Sequence, residues 1–203
     1  MVDEFRYVDG KVKGGLGDEA RKLQYFRRYR DDCTSLNIGN FMDIAREIYP
    51  PSLTLTQEND QSECADVLDM NVRIRDSNII TKVFCKTEIF PFHVISLPFL
   101  GSNLDSGLCY KVFYGQIIRY QRLTTLKQDF ELRVNMLAWV LIRREYKKIL
   151  LQKQFCKAIE KYINEFQKWV LPLYFKNWFD DIISISNNEN LLNESDLVLT
   201  LTQ

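Results

Sequence analysis

The chain has 203 residues, 46% of them apolar and 27% charged, with 27 basic side chains balancing 27 acidic ones. That size and composition fit one ordinary domain or two small ones and exclude collagen-like, low-complexity and wholly disordered chains. Its apolar runs (Val94 to Leu100, Trp169 to Phe175) fall well short of the roughly 18 residues of a membrane span, and Met1-Val2-Asp3-Glu4 carries acids where a signal peptide carries cations. A chain of the cell interior, cytoplasmic or nuclear, with no membrane partner is expected. Five scattered cysteines without a C-x-x-C pair, and a single histidine, His93, point to neither a disulfide framework nor a zinc ribbon.

In chain order, residues 17–26 read as a short helix after the Gly14-Gly15 break. Phe26 to Tyr29 and Cys33 to Leu36 then flank Arg30-Asp31-Asp32 as the strands of a tight hairpin. Asn37 to Asn40 form a turn, with Asn40 a candidate helix cap. Phe41, Ile44, Ala45 and Ile48 fall at i, i+3, i+4, i+7, one face of a helix that Pro50-Pro51 stops. Leu53 to Thr56 alternates as a strand does, and Asn59 to Ser62 make a polar loop. Asp66 to Ile74 and Ile79 to Cys85 read as a second hairpin turned by Arg75 to Asn78. From Leu108 the period becomes helical: Phe113, Ile117 and Tyr120 line one helix, Phe130, Val134, Leu137 and Leu141 a second, and Phe155, Ile159, Tyr162 and Phe166 a third. A loose tail rich in Asn, Ser and acids is expected from about Ser184.

Charge is unevenly spread. Residues 1–107 hold 13 basic and 17 acidic groups, residues 108–170 hold 13 and 5, and residues 171–203 hold 1 and 5. A net +8 block inside a neutral chain is the footprint of a surface for a polyanion, or simply the solvated faces of three helices.

The stretch closest to chemistry is Tyr29-Arg30-Asp31-Asp32. Two adjacent carboxylates in a hairpin turn are exposed at its tip, a placement that suits a divalent cation held by carboxylates and substrate phosphates. The hairpin resembles the Y-x-D-D catalytic hairpin of reverse transcriptases. Further stretches resemble the same family in the same order. Phe41 to Leu55 looks like the helix and strand after that hairpin, and Val67-Leu68-Asp69-Met70 is similar to the primer-grip strand. Val83 to Phe92 resembles the segment leading into the thumb. Gln116 to Arg122, Asp129-Phe130 and Arg143 to Tyr146 look like thumb helices of eukaryotic retroelement enzymes. The resemblance spans roughly residues 5–166.

The resemblance implies an α+β chain: a partial polymerase palm of antiparallel β-hairpins with a packed helix over 1–107, an all-helical basic thumb bundle over 108–170, and an acidic, partly flexible tail over 171–203. It implies Asp31 and Asp32 as catalytic ligands of Mg²⁺ or Mn²⁺, and Val67, Leu68 and Asp69 as the primer grip. The reaction implied is attack of a primer 3′-hydroxyl on the α-phosphorus of a dNTP. Lys111, Arg119, Arg122, Arg133, Arg143 and Arg144 would contact the phosphates of an RNA–DNA or DNA template–primer duplex, and Tyr110 and Tyr120 would stack on bases or pack in the core. Only 30 residues precede Asp31, so the fingers and the strand bearing the family's third carboxylate are not expected here. The chain alone is then expected to be inactive, with a second chain as partner to supply that half. Two other readings stay open. One is a non-catalytic nucleic-acid-binding remnant of a retroelement. The other is a structural protein that meets a partner through Phe90 to Leu100, Trp169 and Trp178.

Overall fold

The computed structural model describes residues 26–29, 32–35, 39, 41–57, 63–92, 94, 97–169 and 171–184. The helix expected over 17–26 (apart from Phe26), Asp31, Asn37, Asn40 and the loop from Asn59 to Ser62 lie outside them. Among the described residues, two small antiparallel sheets and six α-helices make this a mixed α+β chain. It divides into two compact units, residues 1–60 and 61–203. Among the described residues no helix is long and apolar enough to cross a membrane.

In the first unit, β1 (Arg27–Tyr29) pairs antiparallel with β2 (Asp32–Thr34), Tyr29 opposite Asp32. Asp32 therefore belongs to a strand rather than to the turn. Helix α1 (Phe41–Ile48) buries Ile44 and Ala45, the face given by its spacing. Phe26 stacks on Phe41 with ring centres 5.4 Å apart. Tyr49 closes the helix by donating its N–H to the Ala45 carbonyl, and Pro50 and Pro51, which lack N–H donors, stop it. The strand expected at Leu53 to Thr56 does not form. The Leu53 N–H turns back to the Pro50 carbonyl and Leu53 stays exposed.

The second unit opens with a three-stranded sheet, β3 (Cys64–Val67), β4 (Met70–Arg75) and β5 (Asn78–Val83), in sequential order. Its second hairpin matches the sequence: Asp76 and Ser77 both take left-handed φ values, 49° and 61°, as a two-residue primed turn demands. The strand expected from Asp66 to Ile74, however, is broken at Leu68-Asp69. Leu68 has φ 55° there, the Asp69 carbonyl accepts the Phe84 N–H, and the Asp69 carboxylate pairs with Arg119 at 2.7 Å. A 3₁₀ turn, Lys86–Ile89, follows the sheet.

Five helices complete the unit: α2 (Ser106–Leu123), α3 (Lys127–Arg143), α4 (Lys148–Lys161), the single turn α5 (Ile163–Phe166) and α6 (Phe175–Ser184). Asp105 caps α2 by accepting the Leu108 N–H at 3.0 Å. The core is built from Phe113 and Ile117 of α2, Phe130, Val134 and Leu141 of α3, and Leu151, Phe155 and Ile159 of α4. The bundle is not limited to the three expected helices. Helix α6, lying in the stretch read as tail, buries Trp178, Phe179 and Ile182 against the others, with Trp178 5.4 Å from Phe155 and 5.8 Å from Phe130 by ring centre.

Sheet and helices are tied by polar contacts. The Thr125 N–H donates to the Thr81 carbonyl at 2.9 Å, the Thr81 N–H to the Thr125 hydroxyl at 3.0 Å, and the two hydroxyls meet at 2.9 Å. Arg133 of α3 holds the Glu88 carboxylate with two nitrogens and donates to the Val83 carbonyl at 3.0 Å.

Candidate functional site

At the hairpin of the first unit, Asp32 is exposed and unencumbered by any described ion pair. Asp31, the other half of the motif, lies outside the described residues. A lone exposed carboxylate offers one or two of the six oxygens that Mg²⁺ requires, and among the described residues no three His, Cys, Asp or Glu side chains gather as a metal cluster. The described residues by themselves do not complete a divalent-cation site.

The three primer-grip positions are set apart by the turn between β3 and β4. Val67 is half-buried at the end of β3, Leu68 projects into solvent, and Asp69 is held by Arg119.

The six candidate phosphate contacts separate into two kinds. Lys111 and Arg143 are exposed on α2 and α3. The other four are engaged within the protein. Arg119 bonds Gln116 and Asp69, and Arg122 grips the Glu165 carboxylate at 3.0 and 3.2 Å. Arg133 is a bolt between α3 and the sheet. Burial works against its charge, yet the Glu88 bonds and charge outweigh it and leave its pKa above the usual value. Arg144 is buried, donates to the Leu97 carbonyl and lies 5.1 Å from the centre of the Phe99 ring. Tyr110 is buried against Tyr146 and accepts the Lys147 N–H, so it packs rather than stacks on a base. Tyr120 is half-buried against the same core.

Cations and aromatics meet instead around Tyr162, where α4 passes into α5. The Lys161 ammonium is 5.5 Å and the Arg122 guanidinium 5.8 Å from its ring centre. Tyr114 of α2 adjoins it. Burial raises the Tyr114 pKa, the neighbouring Lys161 opposes this, and Tyr162 adds to it by charge and by a side-chain bond. Lys157, exposed one turn before Lys161, and Lys111, one turn before Tyr114, extend the same helix faces.

The cluster is held from behind. Lys168 donates to the Gln121 and Thr124 carbonyls, both at 2.6 Å, which fixes the C-terminal end of α2 where its dipole is negative. Trp169 Nε1 adds a bond to the Thr125 carbonyl at 2.9 Å. Charge arithmetic located this block, but Tyr162 was read only as lining a helix, and Tyr114, Lys157 and Lys161 were not singled out. The i, i+4 spacing of Lys157 and Lys161 was the available signal.

The aromatic surface expected for a partner is only partly present. Trp169 and Trp178 are buried in the core, whereas Phe90, Phe92 and Phe99 are exposed, the first two stacked at 5.2 Å. Comparison with family models, with curated proteins and with solved structures found no match to this chain.

Proposed function

We propose that this chain is the palm-half and thumb of a reverse-transcriptase-like protein, and that its helical unit holds a nucleic-acid duplex through the phosphate backbone. The observation that carries the reading is the Tyr162 cluster. An aromatic beside the exposed Lys161 stands in a block of 13 basic and 5 acidic residues. Cations on helix faces give sequence-independent phosphate contacts, and an aromatic among them suits a sugar or base face. The order of the quoted motifs supports the family, and the exposed Asp32 at its hairpin is compatible with it. Polymerisation would further need Asp31, Mg²⁺ and a third carboxylate.

The test is binding of the purified chain to an RNA–DNA hybrid and to duplex DNA across a salt series. Affinity is expected to fall steeply with salt, and Lys161→Glu to reduce the log–log slope by about one. Absence of binding at low salt would overturn the reading. Asp31→Ala separates polymerase-type binding, strengthened by Mg²⁺ and dependent on Asp31, from a backbone-binding module indifferent to both.

A further inference from the structure

A second surface, adjoining the Tyr162 cluster at Lys157, runs along α4 to the first turn of α6. Ile149, Leu150, Lys153, Cys156 and Lys157 of α4, with Lys176 of α6, line a groove of about 510 Å³. Ile149, Lys153 and Cys156 fall at i, i+4, i+7, so the apolar and cationic groups form one stripe. Ile149 is 65% exposed, an apolar surface whose removal from water is favourable. Two acids stand nearby: Glu160 in the lining, and Asp180, which Lys148 holds at 2.9 Å and Gln152 at 2.9 Å. Lys153, Lys157 and Lys176 therefore leave the groove positive as well as apolar.

We propose that this groove is the docking site of residues 191–201 of the same chain. That stretch reads Leu-Leu-Asn-Glu-Ser-Asp-Leu-Val-Leu-Thr-Leu: six aliphatics, two acids and no cation. Residues 185–203 as a whole carry three acids and no base, the charge complement of the lysine rim. Chain length permits the return. Lys176 lines the groove and α6 ends eight residues later at Ser184, about 12 Å along the axis at 1.5 Å per residue. The six residues 185–190 span up to about 20 Å when extended, so Leu191 can come back to the groove. An aliphatic stretch seated on Ile149 and Leu150 with Glu194 and Asp196 against the lysines satisfies both chemistries of the surface.

Cys156 in the groove wall is the reporter, and the full chain is used throughout. Its alkylation by iodoacetamide is followed by peptide mass spectrometry, with Cys33 of the first unit as internal reference. Leu197→Ser with Leu199→Ser is expected to raise the Cys156 rate about fivefold, the effect of about 1 kcal/mol of lost docking, and to leave Cys33 unchanged. Lys153→Glu, on the groove side, is expected to do the same, and Glu194→Lys with Asp196→Lys to restore protection in that background. Docking within one molecule is independent of protein concentration. Equal Cys156 rates in parent and tail variants would overturn the proposal. Protection that grows with concentration would also overturn it, because it would show a second copy as the occupant.

Discussion

Arg133→Met tests whether a cation in the basic block serves the fold or the ligand. The substitution keeps the aliphatic stem and removes every guanidinium bond. Two parts make up the expected loss. The Val83 carbonyl, on a residue 3% exposed, is left without its Arg133 donor, at about 1 kcal/mol or somewhat more. The Glu88 pair is 47% exposed on the glutamate side, so solvent screening limits it to about 1 kcal/mol. Together they predict about 2 kcal/mol, a fall in Tm of about 4–8 °C for a unit of this size. Trp139, Trp169 and Trp178 are the three tryptophans of the chain and all belong to the second unit, so tryptophan fluorescence during heating reads that unit alone. Glu88→Gln in a double-mutant cycle should recover only the carboxylate part. An unchanged Tm accompanied by a tenfold loss of duplex affinity would refute the structural assignment and return Arg133 to the phosphate-binding surface.

Two further outcomes are expected. The Arg122 bonds hold the Glu165 carboxyl below its usual 4.5, so the stability they confer is present above pH 4.5 and lost as pH falls through the lower, folded-state value. Glu165→Gln should flatten the acid limb of a pH–Tm curve below 4.5, and an identical limb in parent and variant would show the pair to be inert. Glu145, exposed just after α3, sits at φ 71°. Glycine adopts that conformation without the Cβ clash, so Glu145→Gly should raise stability by about 0.5 kcal/mol, and a lowered Tm would contradict it.

Sequence periodicity located Phe113, Ile117, Phe130, Val134, Leu141, Phe155 and Ile159 in the core because helical spacing is a local property. The β4–β5 hairpin was legible for the same reason, through the turn residues Asp76-Ser77, whereas the turn at Leu68-Asp69 was not read. Leu53 to Thr56 alternated like a strand, but alternation does not supply a neighbour to pair with. Helix α6 carried a readable pattern, Phe175, Trp178, Phe179 and Ile182 at i, i+3, i+4, i+7. The acidic balance of residues 171–203, five acids to one base, made the stretch look like tail. The cations failed differently. Arg133 and Arg144 look like any exposed arginine until Glu88 and the Leu97 carbonyl are placed beside them, and nothing local announces such partners.

Those partners share one property. Thr81 meets Thr125 across 44 residues, Arg133 meets Glu88 across 45, and Trp178 and Asn135 reach Glu131 and Ile182 across 47. Tyr146 reaches Pro98 across 48. During synthesis at about 5–20 residues per second, each of these segments waits a few seconds for its counterpart to be made. The ties between these segments therefore form only after both partners have been made. Phe130 meets Phe166 and Trp169 first, but Phe155 stays without its ring partners until Trp178 and Phe179 arrive from the ribosome. A nascent chain stalled near residue 170 would present an open aromatic surface, the form that a chaperone is expected to recognise.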